Sequence, residues 1–399
     1  MMSGDGLLVR VRVRDVTLAL ADALALADLS QRFGNGAIDL TRRANLQIRG
    51  VLEAQWPALI DTLRARNLIG VDEELGQAVN IITSPLAGLD PAMAFDPRPI
   101  ARQVERGLLA DERFRSLPSK FGFAIDGGGV LPLDDTDADI RVGPVHGSPL
   151  ASIGLVGSSN VALVEAHGAA QASLTLAGAF LALRDRERRM RALVERVGAA
   201  AIFAKAGLDA VALLTAPERD LIRPLGLWHC ADMPVLGVAA PFGAWNAKDL
   251  AAVATMACAV PEATLRVTPR RALLVVGLPQ KLAMRGLHEL SARGLIVRSD
   301  DPRLAVAACV GAPSCGAASV VTRDLAERLA SSVRPSSDIA LHVSGCAKGC
   351  AHPHFAPVTL VGHDGRFDLV ENDRPSGAAT IRSLALDEIA EEVRKRLPS

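Results

Sequence analysis

The sequence predicts an α+β protein whose two halves are related by a pseudo-twofold axis. Residues 39–51, DLTRRANLQIRGV, resemble residues 266–278, RVTPRRALLVVGL, and residues 120–129 resemble residues 339–349 in the same chain order. Four positions of the first pair coincide: Thr41 with Thr268, Arg43 with Arg270, Leu46 with Leu273 and Gly50 with Gly277. Because copies separated by roughly 220 residues are too far apart for a solenoid, we infer a duplicated domain.

The repeats predict a strand–helix–strand unit at the start of each half. The stretches LLVRVRV (7–13) and MPVLGVAAP (233–241) are apolar and rich in β-branched residues, which is typical of strands. Residues 18–34 and 246–260 follow them with apolar side chains at helical spacing. The second strand of each unit lies in the first pair of repeats. The other pair of repeats predicts a longer α+β unit after each strand–helix–strand unit.

Two further helices are predicted outside the repeats. Residues 172–197 are predicted as one long helix, apolar at its start and rich in arginine before Gly198. Residues 383–397 are predicted as an amphipathic helix with acidic side chains early and basic side chains late, an order that matches the helix dipole.

Composition narrows the class of protein. The 399 residues are 49% hydrophobic and 22% charged, and the formal net charge is zero. This balance argues against a general nucleic-acid binder, and the length favours two or three domains. No apolar run is expected to span a membrane, and the opening MMSGDGLLVRVRV lacks the charged-then-apolar order of a signal peptide. We therefore expect a cytoplasmic protein.

Four of the six cysteines are grouped in two short motifs near the C-terminus. Cys309 and Cys315 are spaced C-x5-C in ACVGAPSC, and Cys346 and Cys350 are spaced C-x3-C in GCAKGC. Glycine and proline surround both pairs, which favours loops that can wrap around one compact metal centre. Four thiolates are the usual ligands of an iron–sulfur cluster.

The cysteine motifs also allow alternatives to a cluster. A structural zinc site usually has C-x2-C to C-x4-C loops. Disulfides are disfavoured in a reducing compartment. The four cysteines could also be inert buried thiols, which is our expectation for Cys230 and Cys258.

The cysteine motifs, the duplicated halves and the TRR…Q…G strand together resemble the sirohaem-dependent sulfite and nitrite reductases, over nearly the whole chain. The resemblance implies that Cys309, Cys315, Cys346 and Cys350 hold a [4Fe–4S] cluster, and that in sirohaem-containing members the last of them also bridges to the haem iron. It implies four segments: a ferredoxin-like half-domain at 1–70, an α+β domain without a cluster at 71–215, a second ferredoxin-like half-domain at 216–295 and an α+β domain with the cluster at 296–399.

Within that superfamily, GCAKGCAHP resembles the precorrin-3B synthases of cobalamin biosynthesis. Sulfite and nitrite reductases usually have Pro-Asn where this chain has Ala347-Lys348. They also carry a second lysine where LPSKFGF has Gly122, and an arginine that GQAVNI (76–81) lacks. The loss of these cations argues against binding of a small anion such as sulfite.

A precorrin is a tetrapyrrole rimmed with carboxylates, so the resemblance implies carboxylate-binding side chains in the former haem pocket. Guanidinium groups bind carboxylates with two parallel hydrogen bonds. Arg10, Arg12 and Arg14 alternate along a predicted strand and should share one face. The predicted substrate-binding residues are Arg10, Arg12, Arg43, Gln47, Arg49, Lys120, Arg189 and Arg191.

The expected activity follows from the same resemblance. It implies oxidation of precorrin-3A by dioxygen, with hydroxylation at C20 and formation of a γ-lactone. NADH would supply electrons through a partner reductase or ferredoxin, because the chain has no G-x-G-x-x-G fingerprint between a strand and a helix. His352 and His354 are candidates to bind an additional iron. The alternatives are a sirohaem-dependent sulfite or nitrite reductase, and an iron–sulfur sensor or zinc-stabilised binding protein.

Overall fold

The computed structural model describes residues 2–69, 80–134, 136–212, 224–336 and 338–397. Four β-sheets and ten α-helices lie within these ranges. The strands of the first half are β1 (Met2–Ser3), β2 (Gly6–Val11), β3 (Thr17–Leu18), β4 (Ala37–Leu40), β5 (Leu46–Val51), β6 (Asn80–Thr83), β7 (Gly122–Ile125), β8 (Ile140–Pro144), β9 (Leu150–Leu155), β10 (Asn160–Glu165) and β11 (Ala210–Ala212).

The second half repeats this plan after residue 224. Its strands are β12 (Gly226–Cys230), β13 (Met233–Ala239), β14 (Ala244–Asn246), β15 (Thr264–Val267), β16 (Ala272–Val276), β17 (Val306–Ala308), β18 (Leu341–Ser344), β19 (Ala356–His363), β20 (Arg366–Asp373) and β21 (Ile381–Leu384). The helices of the whole chain are α1 (Leu20–Phe33), α2 (Trp56–Ala65), α3 (Pro97–Ala110), α4 (Ala169–Leu183), α5 (Met190–Val197), α6 (Ala199–Lys205), α7 (Ala247–Ala257), α8 (Gln280–Ala292), α9 (Arg323–Ala330) and α10 (Leu386–Arg396).

The two half-domains exchange an edge strand. The first sheet has the order β1-β2-β5-β4-β14, and its last strand comes from the second half of the chain. The third sheet has the order β12-β13-β16-β15-β3, and its last strand comes from the first half. Helices α1 and α7 pack against each other between these sheets, and one hydrophobic core, which includes Leu46 and Leu273, is shared by both half-domains.

Equivalent turns confirm the duplication. The Thr41 amide donates to the Asn45 carbonyl oxygen at 2.9 Å, and the Thr268 amide donates to the Ala272 carbonyl oxygen at 3.0 Å. Inside these turns Ala44 has a φ of 53° and Arg271 a φ of 59°. The four aligned positions therefore occupy matching places in the two half-domains.

The two larger α+β units also match. In one, β6, β7 and β8 are parallel and β9, β10 and β11 are added antiparallel. In the other, β17, β18 and β19 are parallel and β20 and β21 are added antiparallel. The predicted α+β fold with pseudo-twofold halves is confirmed. The proposed boundaries near residues 70 and 215 lie outside the described residues.

The prediction of one helix over 172–197 is wrong. Helix α4 ends at Leu183, because Arg184 has a ψ of 145°, and α5 begins only at Met190. The residues between them are charged, and Arg189 folds back to ion pairs with Asp137 and Asp139.

Within the described part of the chain, Ala166–Leu183 is long and apolar enough, by length and composition alone, to cross a membrane. This differs from our expectation that no apolar run would reach that length. Leu176 and Phe180 of this segment lie in the hydrophobic core of the first α+β unit, which is the environment of a core helix.

Candidate functional site

Two cysteine loops meet at one edge of the fourth sheet. The first loop (309–315) follows β17 and the second (346–350) follows β18, and these strands are parallel neighbours. The Gly345 amide donates to the Sγ of Cys309 at 3.1 Å. A Cβ atom on Gly345 would lie 2.6 Å from the Cβ of Ala318, so glycine allows the two loops to approach. The parallel pair therefore brings together motifs that are distant in sequence.

The Cys350 thiol lies close enough to the other three thiols to be affected by them. Burial raises the pKa of the Cys350 thiol, and the neighbouring thiols of Cys346, Cys309 and Cys315 raise that pKa further. The ammonium group of Lys120 acts in the opposite direction and lowers the pKa of Cys350. The four cysteines thus share one partly buried locale that also contains a cation.

The donor set consists of four cysteine thiols, which are the usual ligands of an iron–sulfur cluster. One of these thiols accepts a backbone N–H bond. Across the ranges that the structure describes, no group of three or more His, Cys, Asp or Glu side chains is arranged to hold a metal ion. The preference for a cluster over a zinc ion therefore stays a prediction from ligand type and spacing.

The other two cysteines lie elsewhere. Cys230 is buried in β12, where burial and Asp90 raise the pKa of its thiol to about 11. Cys258 is exposed at the end of α7. Neither is positioned to join the cysteine loops.

Arg49 fastens the first cysteine loop to the first half-domain. Its side chain is only 5% exposed and forms ion pairs with Asp5 at 3.1 Å and Asp39 at 3.3 Å. Its Nη2 also donates to the Ser314 carbonyl oxygen at 3.0 Å, and the Gly4 amide donates to the same oxygen at 3.1 Å. Because each guanidinium nitrogen has an internal partner, Arg49 has a structural role in this fold, and the substrate-binding role predicted for it stays a prediction.

Arg12 is also held by an internal partner. Strand β2 ends at Val11, so the predicted alternation of arginines does not continue to Arg14, which begins a short 3-10 turn. The Nη1 of Arg12 lies 3.2 Å from a carboxylate oxygen of Glu105 on α3. This ion pair uses the charge of Arg12 within the protein, and its predicted substrate-binding role stays a prediction.

Four other predicted residues converge beside the second cysteine loop. Arg10 and Gln47 are directly paired on β2 and β5. The Nη2 of Arg43 donates to the Lys120 carbonyl oxygen at 3.1 Å, and the Lys120 ammonium group is near Cys350. We call Arg10, Arg43, Gln47 and Lys120 the basic site.

Positive charge is crowded at the basic site. Burial and the cations of Arg189 and Arg10 lower the pKa of the Arg43 guanidinium, and the Asp137 carboxylate opposes this by raising that pKa. The Asp137 carboxylate is 4.0 Å from Arg43 but 2.6 Å from Arg189, so it is shared. A carboxylate on a ligand would relieve the repulsion between Arg10 and Arg43.

Arg189 and Arg191 have different surroundings. Arg189 pairs with Asp137 and with the fully buried Asp139, which also accepts the Met190 amide at 2.7 Å, so Arg189 positions the start of α5. Its charge is therefore balanced by carboxylates of the protein, and its predicted substrate-binding role stays a prediction. Arg191 is exposed and lies near His354, whose pKa is lowered chiefly by burial.

Two residues near the site were not selected from the sequence. The Nη1 of Arg42 lies 3.5 Å from the Nδ1 of His352, and Asp137 lies between Arg43 and Arg189. Arg42 is the other arginine of the TRR motif, and Asp137 belongs to the acidic run DDTDAD, but neither pattern indicates which side chain reaches the site.

Three histidine rings form a row beside the second cysteine loop. The ring centroids of His342 and His352 are 5.9 Å apart, and those of His352 and His354 are 5.7 Å apart. The Nε2 of His352 lies 2.9 Å from the Phe355 carbonyl oxygen. Among the described residues, no group of three or more His, Cys, Asp or Glu side chains, these histidines included, is arranged to hold a metal ion, so an additional iron remains a prediction.

Comparisons with known proteins agree with this architecture. A family model described as the nitrite/sulfite reductase ferredoxin-like half domain matches residues 1–66. Among solved structures, the NirA protein of Mycobacterium tuberculosis has a TM-score of 0.76 and 21% sequence identity, and the match covers 97% of this chain and 79% of that one.

Two curated relatives match nearly the whole chain. A precorrin-3B synthase from Sinorhizobium sp. is 33% identical over 394 residues, which cover 94% of this chain and 82% of the relative. A ferredoxin–nitrite reductase from Synechococcus elongatus is 26% identical over 399 residues, which cover 90% of this chain and 77% of that protein.

Proposed function

We propose that this chain, which belongs to the precorrin-3B synthase family within the nitrite and sulfite reductase superfamily, oxidises precorrin-3A to precorrin-3B. The observation that carries the proposal is the position of the basic site beside the second cysteine loop. Lys120 links the two, because its carbonyl oxygen accepts from Arg43 and its ammonium group is near Cys350.

The chain's own residues would bind and orient the tetrapyrrole. Arg10 and Arg43 are suited to the acetate and propionate groups because guanidinium groups bind carboxylates in two-pronged fashion. Gln47, beside Arg10 on the sheet, can donate or accept a further hydrogen bond. Arg191 is placed to neutralise a carboxylate at the exposed rim.

The cofactor in this proposal is a [4Fe–4S] cluster. Cys309, Cys315, Cys346 and Cys350 would hold it, and when bound it would supply one-electron transfer next to the substrate. Lys120 and the Gly345 amide would stabilise its negative charge, because the Lys120 cation acts on the Cys350 thiol and the Gly345 amide donates to the Sγ of Cys309.

The proposed reaction consumes dioxygen. One oxygen atom enters the macrocycle as the C20 hydroxyl group, the other leaves as water, and an acetate arm closes the γ-lactone. The two electrons would originate in NADH and arrive through a partner reductase or ferredoxin. We propose that this takes place in the cytoplasm.

Sulfite or nitrite reduction is the second candidate, and Gly122 argues against it. A Cβ atom on Gly122 would lie 3.3 Å from the Asn80 carbonyl oxygen, so a lysine here would need the neighbouring strand to shift. The site therefore lacks a cation that the reductases direct at a small anion. The other motif, GQAVNI, lacks an arginine that the reductases have, and its residues 76–79 lie outside the described residues.

Anaerobic purification followed by metal, sulfide and absorption analysis tests the proposal. We expect iron and sulfide without the Soret and red bands of sirohaem, and conversion of precorrin-3A to a product heavier by one oxygen atom when dioxygen and a reduced donor are present. Sirohaem bands with nitrite or sulfite turnover would favour the reductase. Zinc in place of iron would favour a binding protein, and a cluster without precorrin turnover would favour a sensor. Cys350→Ser is the matched inactive control.

A further inference from the structure

A cavity of about 270 Å³ lies beside the second cysteine loop, between the second half-domain and the fourth sheet. Apolar residues supply much of its wall, including Ala239, Phe242 and Leu304. Ala351 and His352, which directly follow Cys350, also line it. Its volume is at the small end of ligand pockets, which run from about 300 to 1,000 Å³.

The first half of the chain fills the equivalent place with an ion pair. Arg12 and Ala239 are equivalent, because the Arg12 amide donates to Leu68 at 3.0 Å and the Ala239 amide donates to Ile296 at 2.9 Å. The side chain of Arg12 pairs with Glu105 at 3.2 Å, and the space beside it is about 90 Å³. Because the side chain of Ala239 is small, the cavity in the second half is larger than the space beside Arg12.

Arg271 brings positive charge to the cavity. Its Nη1 donates to the Phe242 carbonyl oxygen at 3.1 Å, its Nη2 donates to the Ala351 carbonyl oxygen at 3.3 Å, and its buried Nε has no hydrogen-bond partner. Burial, together with the cations of Arg42 and Arg323, lowers the pKa of Arg271 to about 10. Within the described chain, no carboxylate forms an ion pair with Arg271 to offset this charge.

Arg42 is the second cation of the cavity. Its hydrogen-bond contact among the described residues is with the ring of His352, and no carboxylate pairs with it there. The other two arginines that line the cavity differ, since Arg303 is already paired with Asp301 at 2.6 Å and the Nη2 of Arg270 donates to the Pro132 carbonyl oxygen at 3.2 Å. Asp338 lies at the exposed rim. The cavity thus combines an apolar body with a pair of arginines that lack carboxylate partners.

We propose that this cavity binds a small organic carboxylate, with its anionic end between Arg42 and Arg271 and its apolar body against Ala239 and Phe242. Such a ligand offsets the repulsion between two neighbouring guanidinium groups and removes apolar wall from water. The carboxylate belongs either to a free acid or to an arm of a tetrapyrrole at the basic site, because Arg42 and Arg43 share one turn. Binding of a free acid does not depend on the proposed reaction.

Titration calorimetry of the purified full chain with benzoate and with neutral benzamide tests this site. We expect saturable benzoate binding, with benzamide at least about tenfold weaker. Arg42→Met removes one cation and should weaken benzoate binding by about tenfold or more. A tenfold loss of affinity corresponds to about 1.4 kcal/mol. Ala239→Leu fills the cavity and should abolish binding. Arg285→Met, which changes an exposed arginine, is the matched control and should bind benzoate like the wild type.

The two sources of the carboxylate are separated by repeating the titration with sirohydrochlorin bound. Loss of benzoate binding assigns the cavity to a tetrapyrrole arm, and unchanged binding assigns it to a free acid. Circular dichroism confirms that Ala239→Leu and Arg42→Met are folded. The proposal is overturned by absence of benzoate binding to the wild type, by equal binding of benzamide, or by benzoate binding that either variant leaves unchanged.

Discussion

Arg49 and Ser314 are 265 positions apart in sequence, yet the Nη2 of Arg49 donates to the Ser314 carbonyl oxygen at 3.0 Å. Ser314 directly precedes Cys315, so this bond links the first half-domain to a cysteine of the candidate cluster site. The same guanidinium holds Asp5 and Asp39, and its side chain is 5% exposed. A single arginine therefore connects the N-terminal strands to the geometry of the first cysteine loop.

Arg49→Met should lower the free energy of unfolding by roughly 3 kcal/mol, because it leaves the largely buried Asp5 carboxylate without its cation. It should also speed the release of iron to a chelator, because the loop around Cys315 loses its hydrogen bond to Arg49. Urea unfolding and the rate of iron release measure these effects. Arg32→Met removes an exposed ion pair with Asp28 and should cost less than about 1 kcal/mol. Equal stability of the two variants would show that Arg49 does not stabilise the contact between the first half-domain and the first cysteine loop.

Changing any one of Cys309, Cys315, Cys346 and Cys350 to serine should remove or degrade the cluster, which has about four irons and four sulfides when intact. Cys230→Ser and Cys258→Ser are the controls, because those thiols lie away from the cysteine loops, and both should retain full iron. Iron and sulfide analysis after anaerobic purification is the measurement. Full iron in all four loop variants would refute the assignment of ligands.

Two motifs within single segments of the sequence were reliable guides to structure, although the helical pattern over 172–197 was not. The TRR repeat predicted equivalent segments in the two halves, and in the structure the turns at Thr41 and Thr268 close with the same backbone hydrogen bond. The cysteine spacing predicted two loops, and they meet because β17 and β18 are parallel neighbours. Local chemistry determines such features, since turn geometry and loop length depend on nearby residues.

Features that depend on distant partners were not predictable in this way. Alternation places Arg49 on one face of β5, but the sequence does not show that Asp5 and Ser314 lie opposite it. Likewise, the spacing of Arg12 suggested a ligand-binding side chain, and only the fold reveals its partner Glu105. The exchange of β3 and β14 between the half-domains leaves no local signal either, because both strands are only two or three residues long.

His342 should make stability fall in acid. Burial first, and then His352 and Arg271, lower the pKa of His342 to about 3 from 6.5. Between these values the unfolded chain binds a proton that the folded chain does not, so stability is lost as the pH falls from 6.5 toward 3. The contribution at pH 5.5 relative to pH 7 is roughly 1 kcal/mol.

His342→Leu should abolish this part of the pH dependence. The variant should also be more stable than the wild type at pH 7 by about 1 kcal/mol, because the buried ring nitrogens have no hydrogen-bond partner. Urea unfolding of the metal-free proteins at both pH values provides the comparison. His167→Gln alters an exposed histidine, and this variant should keep the full loss of stability in acid. A His342→Leu variant with wild-type acid sensitivity would mean that another group titrates.

Arg43→Leu and Arg10→Leu should weaken tetrapyrrole binding without loss of the cluster. Each removes a cation from the basic site, where Arg43 is only 20% exposed and its nearest carboxylate, Asp137, is 4.0 Å away. Loss of one partner of a buried, hydrogen-bonded charge pair costs roughly 2–5 kcal/mol, and the lower limit is a loss of about 30-fold.

Equilibrium binding of sirohydrochlorin, with cluster absorbance as the integrity check, measures this effect. Arg43→Lys should give an intermediate affinity, because lysine keeps the charge and loses the planar fork. Arg285→Leu is the exposed control and should bind like the wild type, since an exposed ion pair contributes less than about 1 kcal/mol. Arg189→Leu should instead reduce stability, because it leaves the buried carboxylate of Asp139 without its cation. Wild-type affinity in both Arg10→Leu and Arg43→Leu would mean that the tetrapyrrole binds elsewhere, and the basic site would then have no role in substrate recognition.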